Sequence, residues 1–210
     1  MIGIVDYGMG NLGSVTNACR FLNLPCTVVT APSEVSGCRA LILPGVGAFG
    51  DCMKHIRSHD LEPVIQDWIA ADRPFLGICV GLQVLFAGSE ESPGVPGLGI
   101  FSGMVRKFPG GDGLKIPQIG WNRVTWKKTG HPVMEGIPDG SHFYFVHSYY
   151  VDCADSAWVA ATTEFGITYT CAVTRGNLFA VQFHPEKSQK VGLALLQNFA
   201  TRAAGSEVRV

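Results

Sequence analysis

Three short apolar runs, Ile2 to Asp6, Ala40 to Leu43 and Phe75 to Ile78, each lead into a glycine-bearing turn. The stretches between them have helical period. Val15, Ala18, Cys19 and Leu22 share one face of Ser14 to Leu22, and Leu61, Val64, Ile65, Trp68 and Ile69 share one face of Asp60 to Ala71. Cys26 to Thr30 adds a β-branched run. Strands joined through helices pair in parallel by right-handed crossovers, so this half predicts a doubly wound α/β sheet.

The second half changes character. Gly and Pro crowd the stretch from Gly94 to Gly113, which reads as a loop. Strand candidates follow with few helical patterns between them: Gln118 to Trp126, His142 to Val146, Trp158 to Thr163, Ile167 to Thr174 and Leu178 to Phe183. Phe165-Gly166 and Arg175-Gly-Asn177 read as hairpin turns, which makes this part antiparallel or mixed. Ser188 to Ala203 suits a closing helix. A chain of 210 residues, 47% apolar, fits one core, so residues 1–210 are read as a single domain.

A net charge of −1 with no Lys/Arg block offers no footprint for nucleic acid. The longest apolar window, Phe75 to Ala87, is too short to span a bilayer, and no basic segment precedes an apolar run at the N-terminus. The expectation is a cytoplasmic protein whose partners are small molecules or proteins. Seven cysteines are scattered without CxxC or zinc spacing, so they read as reduced thiols, with no metal or cofactor implied.

One of those cysteines stands apart. Gly77-Ile-Cys79-Val-Gly81 follows a strand and precedes the apolar Leu82, Leu85 and Phe86, the shape of a nucleophile elbow with Cys in place of Ser. Glycines two before and two after leave room for the sharp turn. The sulfur would then sit at the carboxyl edge of the sheet, at a helix N-terminus that favours thiolate. A lone GxCxG fits a packed core cysteine equally well. A base and its orienting group are the missing parts, and Phe183-His184-Pro185-Glu186 offers both, since residues two apart on an extended chain face the same way. Oxyanion donors are expected at Val80 N–H and in the turn Pro44-Gly45-Val46-Gly47.

With those pieces in place the chain resembles the class I glutamine amidotransferases, and among them the glutaminase subunits of imidazole glycerol phosphate synthase. The stretches that carry the resemblance are Asp6-Tyr-Gly-Met-Gly-Asn-Leu-Gly-Ser14, Leu43-Pro-Gly-Val-Gly-Ala48, Leu76-Gly-Ile-Cys-Val-Gly-Leu-Gln83, Ser89-Glu-Glu-Ser92, Gly120-Trp-Asn-Arg-Val124, Tyr144-Phe-Val-His-Ser-Tyr149 and Val181-Gln-Phe-His-Pro-Glu186. The resemblance implies a flavodoxin-like fold and a triad of Cys79, His184 and Glu186. It implies oxyanion donors at Val46, Gly47 and Val80, and glutamine contacts at Gln83, Glu91, His147, Ser148 and Tyr149. It further implies a (β/α)₈-barrel cyclase partner that receives ammonia and yields imidazole glycerol phosphate and an aminoimidazole carboxamide ribotide. Interface positions fall on Asn11, Trp121, Tyr144 and Lys187, and the Gly45-Val46 backbone is the implied moving part. Val80 and Leu82 stand where the family more often has Leu and Met, both conservative changes.

Three other readings stay open at this point. A Cys-elbow hydrolase or peptidase of similar fold is disfavoured by the HPE and by a Gln four residues after the Cys. A paralogue feeding ammonia to another synthase, such as one for surface-polysaccharide sugars, would show the same triad. A non-catalytic scaffold predicts erosion of Cys79, His184 or Glu186, and all three are present.

Overall fold

The computed structural model describes residues 1–111, 113–128 and 130–205; positions 112, 129 and 206–210, included in the expected domain, lie outside the described residues. The first half builds as its periodicity predicts. β1 (Ile2–Val5), α1 (Leu12–Phe21), β2 (Cys26–Val29), β3 (Ala40–Gly45), α2 (Phe49–Ser58), α3 (Leu61–Ala70), β4 (Phe75–Cys79) and α4 (Val80–Gln83) follow in turn. β1 lies parallel to both β2 and β3, and β3 lies parallel to β4. Both β3 and β4 are buried along their whole length, the signature of strands covered on both faces.

The rest of the chain supplies β5 (Gly103–Lys107), β6 (Gln118–Arg123), β7 (Thr125–Trp126), β8 (His142–His147), β9 (Tyr149–Cys153), β10 (Val159–Phe165), β11 (Ile167–Arg175), β12 (Leu178–Val181) and α5 (Gln189–Gly205). β12 returns to the middle of the sheet, parallel to β4 with Val181 opposite Ile78. From there β11, β10 and β7 continue antiparallel, giving the order β2-β1-β3-β4-β12-β11-β10-β7. This is the expected parallel sheet with an antiparallel extension. Its consequence is positional: β4 and β12 deliver their C-terminal ends side by side.

Several boundaries differ from the sequence reading. Gly94 to Gly113 is not all loop: β5 lies within it, paired antiparallel with β9, a strand the pattern also did not reveal. Of the five β5 residues only Val105 is fully buried, so its partner rather than its own periodicity makes it a strand. Gln118 to Trp126 breaks at Val124 into β6, which pairs only with β8 in a separate two-stranded sheet, and β7, which joins the main one. The strand expected through Phe183 ends at Val181. The helix expected through Phe86 is the single turn α4, too short to carry much of a dipole.

Helix α2 is also absent from the sequence reading, although Phe49, Cys52, Met53 and Ile56 bury one face of it. Its start carries no local signal. Ala48 cannot cap it, and the first N–H groups are met from forty-two residues away: Phe49 N donates to Glu91 Oε2 at 2.7 Å and Gly50 N to Ser92 Oγ at 3.0 Å.

Candidate active site

Cys79 closes β4 with φ +57° and ψ −111°, a conformation that costs an L-residue energy and persists only where the surroundings enforce it. The flanking glycines show how. A Cβ on Gly81 would collide with the Leu43 carbonyl oxygen, and one on Gly77 would lie 2.6 Å from the Gly81 carbonyl oxygen. The chain turns back on itself so tightly that neither position admits a side chain, as the elbow reading requires.

On the neighbouring strand the chain leaves β12 through Gln182 and Phe183. The Phe183 ring stacks on Phe143 at 4.1 Å and meets Phe145 edge-on at 5.6 Å, anchoring the segment just before His184. The His184 backbone is held from both sides: its N–H donates to Tyr144 O at 2.9 Å, and its carbonyl accepts from Ser188 Oγ at 2.6 Å. Ser188 Oγ itself accepts from Tyr144 N at 3.0 Å. Held this way, His184 Nδ1 lies 2.8 Å from Glu186 Oε1, with both side chains buried.

The electrostatics of this pair follow from its burial. Burial by itself opposes a charged imidazole, but the Cys79 sulfur and the Glu186 carboxylate outweigh it and raise His184 to about 10. His184 Nε2 has no partner in hydrogen-bond geometry, so Cys79 acts on it by proximity, not through a formed bond. Glu186 Oε2 is likewise buried without a partner. A buried carboxylate left half-satisfied is stabilised by a positive imidazolium beside it.

Cys79 and His184 meet at a cleft of about 360 Å³, with Glu186 behind His184 and outside its lining. Val46, Gly47 and Val80 line it, as do Gln83, Glu91, His147, Ser148 and Tyr149. Gly47 adopts φ +89°, which favours glycine there. Behind this turn two side chains hold carbonyls one residue either side of Gly45. Tyr7 Oη donates to Pro44 O at 2.9 Å, and Cys52 Sγ donates to Val46 O at 3.5 Å. Gly45 is boxed in, since a Cβ there would stand 2.8 Å from Tyr7 Oη and from Val80 Cβ.

Gln83 reaches the cleft with its nitrogen already committed. Nε2 donates to Tyr149 O at 3.1 Å and to Gln182 Oε1 at 3.0 Å. Gln182 Nε2 in turn faces Cys79 Sγ at 3.7 Å. Glu91 divides its carboxylate between the cleft and the start of α2. His147 is buried, and burial together with the nearby His184 lowers it to about 4, against the pull of the Tyr149 carbonyl, so it is neutral.

The four positions expected at an interface separate. Trp121 meets Tyr144 edge-on at 6.1 Å, and Lys187 Nζ lies 5.9 Å over the Tyr144 ring, so these three form one cluster beside the cleft. Trp121 is 46% exposed and Ile119, two residues before it on β6, is 63% exposed. Asn11 instead caps α1, its Oδ1 accepting from Ser14 N at 3.3 Å. Sequence reasoning did not single out Tyr7, Cys52, Gln118, Tyr169, Gln182 or Ser188. Of these Gln182 and Ser188 each lie two residues from the HPE motif and Tyr7 falls in the first of the stretches that carry the resemblance; Cys52, Gln118 and Tyr169 act from behind the cleft and carry no local signal. Among the described residues no group of three His, Cys, Asp or Glu side chains is placed to hold a metal ion, and no helix is long and apolar enough to cross a membrane.

Known proteins share both this sequence and this architecture. The family model for glutamine amidotransferase class I matches residues 3–203. The imidazole glycerol phosphate synthase subunit HisH of Dehalococcoides mccartyi strain CBDB1 is 47% identical over 207 residues, covering 99% of this chain and 100% of the relative. The HisH subunit of Rhodopirellula baltica is 50% identical over 201 residues, with 96% and 97% covered. In fold, the chain matches a crystal structure of a glutamine amidotransferase at a TM-score of 0.74 and 20% identity, covering 97% and 98% of the two chains. It matches PurLQS from Thermotoga maritima equally well in TM-score, at 15% identity with 96% and 97% covered. An elbow cysteine facing a buried His–Glu pair, in a chain matched over nearly its whole length by these relatives, places the protein in the class I glutamine amidotransferase family, among the HisH subunits of imidazole glycerol phosphate synthase.

Proposed function

We propose that this chain is the glutaminase subunit of an imidazole glycerol phosphate synthase, working in the cytoplasm. Cys79 Sγ attacks the side-chain amide carbon of glutamine. The oxyanion that forms is met by N–H groups of the Val46-Gly47 turn and of Val80. His184 protonates the departing ammonia as the tetrahedral adduct collapses to a glutamyl thioester. Water then attacks the thioester, His184 takes its proton, and glutamate leaves. Glu186 orients His184 and balances its charge. Gln83, Glu91 and the His147-Ser148-Tyr149 segment bind the substrate, with Glu91 facing the α-amino group.

The single observation that carries this reading is the buried His184–Glu186 pair at 2.8 Å beside Cys79, inside a cleft lined by the glutamine-contact positions. Ammonia protonates in water and loses its nucleophilicity, so its release must be coupled to a closed path. We assign that path to a (β/α)₈-barrel cyclase subunit docked over the exposed Ile119 and Trp121, with Tyr144 and Lys187 nearest the cleft and Asn11 at the margin. Aromatic and long cationic side chains suit such a contact. The test is glutamate release with and without the cyclase subunit and its ligand. Glutamine-dependent turnover is expected only with both present. Cys79→Ala is expected to abolish it while leaving synthesis from added ammonia, and retained glutamine use would sink the assignment.

A further inference from the structure

Behind the Ser148-Tyr149 wall of the cleft runs a line of buried polar groups, of which Tyr169 and Gln118 have no part in the reaction scheme. Gln118, 3% exposed at the start of β6, is placed with its Oε1 2.8 Å from the Tyr169 hydroxyl, and that hydroxyl lies 3.0 Å from His147 Nε2. His147 Nδ1 sits 2.7 Å from Tyr149 O. The same carbonyl accepts from Gln83 Nε2, so the line continues through Gln83 and Gln182 to the Cys79 sulfur.

Counting protons fixes the sense of every bond in the line. A carbonyl only accepts, so Nδ1 must carry the hydrogen that meets Tyr149 O. His147 is packed against Phe108 and Phe145, with ring centroids 5.3 and 5.7 Å away, surroundings that favour the uncharged ring. Its Nε2 is then bare and accepts from the hydroxyl of Tyr169, which burial keeps in the O–H form. Having given its one proton to His147, Tyr169 can only accept from Gln118. Proton balance therefore requires the Gln118 amide to be turned over from its placed orientation, NH₂ instead of Oε1 toward the hydroxyl, an assignment the hydrogen-bond network decides because O and N of an amide look alike.

We infer that Tyr169 and Gln118 are positioning residues for the glutamine site: they anchor the Nδ1–H tautomer of His147 at its Nε2, and His147 thereby holds the Tyr149 carbonyl on Gln83. The link to glutamine rests on the functional reading above. The tautomer does not. Removing the hydroxyl leaves Nε2 buried without a donor while Tyr149 O still claims the Nδ1 hydrogen, so the ring keeps its tautomer but loses one of its two anchors, and the Tyr149 backbone loosens where it lines the cleft.

The test uses the full-length chain with ¹⁵N-labelled histidine and records ring-nitrogen chemical shifts at neutral pH. His147 is expected as the neutral Nδ1–H form in both proteins, with the Nε2 resonance moved in Tyr169→Phe by loss of its O–H donor and His184 unchanged as the control for folding. Gln118→Leu, which leaves the Tyr169 hydroxyl free to rotate, should give an intermediate result. An Nε2–H form or an imidazolium in the native chain overturns the inference. So does an unchanged His147 spectrum in Tyr169→Phe. In the activated complex, KM for glutamine should rise about two- to tenfold in Tyr169→Phe, the range of one neutral hydrogen bond, with kcat little changed. A loss confined to kcat contradicts the positioning role. A native complex that releases no glutamate refutes the functional reading, and the nitrogen spectrum still decides the network.

Discussion

Gln182 Nε2 lies 3.7 Å from Cys79 Sγ while Gln182 Oε1 accepts from Gln83. One buried amide thus ties Cys79 to the residue that follows it by four positions. Its donor orients the sulfur, and its acceptor satisfies an N–H that would otherwise be buried alone. Gln182→Leu removes both partners' bonds and should lower kcat for glutamine about tenfold, the scale of about 1–2 kcal/mol for a buried hydrogen bond. Steady-state glutamate release in the activated complex checks this. Unchanged turnover would show that the sulfur needs no such support.

Gly81 has no space for a methyl group, because its Cβ would enter the Leu43 carbonyl oxygen, which is backbone and cannot step aside. Gly81→Ala should therefore cost about 2–4 kcal/mol of stability, at the upper end for single substitutions. The urea midpoint measures it. A variant of native stability would mean that the elbow can relax.

Cys52 anchors the Val46 carbonyl from behind the cleft, and a trans peptide sends the Gly47 N–H the opposite way. If the Gly47 N–H is the oxyanion donor proposed above, Cys52→Ala should lower kcat several-fold with KM for glutamine unchanged, since such a donor acts in the transition state. Cys52→Ser keeps a donor and should recover most of the rate. Equal losses in both variants would point to packing instead.

The two cleft histidines give stability opposite dependences on pH. His147 is held below its ordinary value of 6.5, at about 4, so its contribution is complete above pH 6.5 and is lost as pH falls through 4. His184 is held above 6.5, at about 10, so its contribution is complete below pH 6.5 and is lost as pH rises through 10. Urea unfolding across this range should show the advantage of the native chain over His184→Gln shrinking from pH 6.5 to 10. Its advantage over His147→Gln should shrink from pH 6.5 to 4. A flat difference in either case contradicts the corresponding shift.

Much of this was legible in the sequence because it depends on short-range chemistry. The buried strands β3 and β4 are continuous apolar runs, the elbow needs glycine at two fixed positions, and His184 and Glu186 are two residues apart on extended chain. What escaped is long-range. Helix α2 borrows its cap from Glu91 and Ser92, and β5 exists by pairing with β9. The family resemblance implied a substrate contact at Gln83, yet its nitrogen serves Tyr149 and Gln182. On the proposed function, that leaves its carbonyl oxygen as the group to meet glutamine. Tyr169 and Gln118 belong to strands whose polar residues look like ordinary alternation, and only their burial together sets them apart.

Glutamine cleavage through a thioester on Cys79, as proposed, is tested by intact-mass spectrometry of the activated complex, acid-quenched during turnover. A species heavier by glutamine less ammonia is expected, mapped to the Cys79 peptide and missing from Cys79→Ala, which also releases no glutamate. Glutamate release by Cys79→Ala, or an adduct on any other residue, would contradict it.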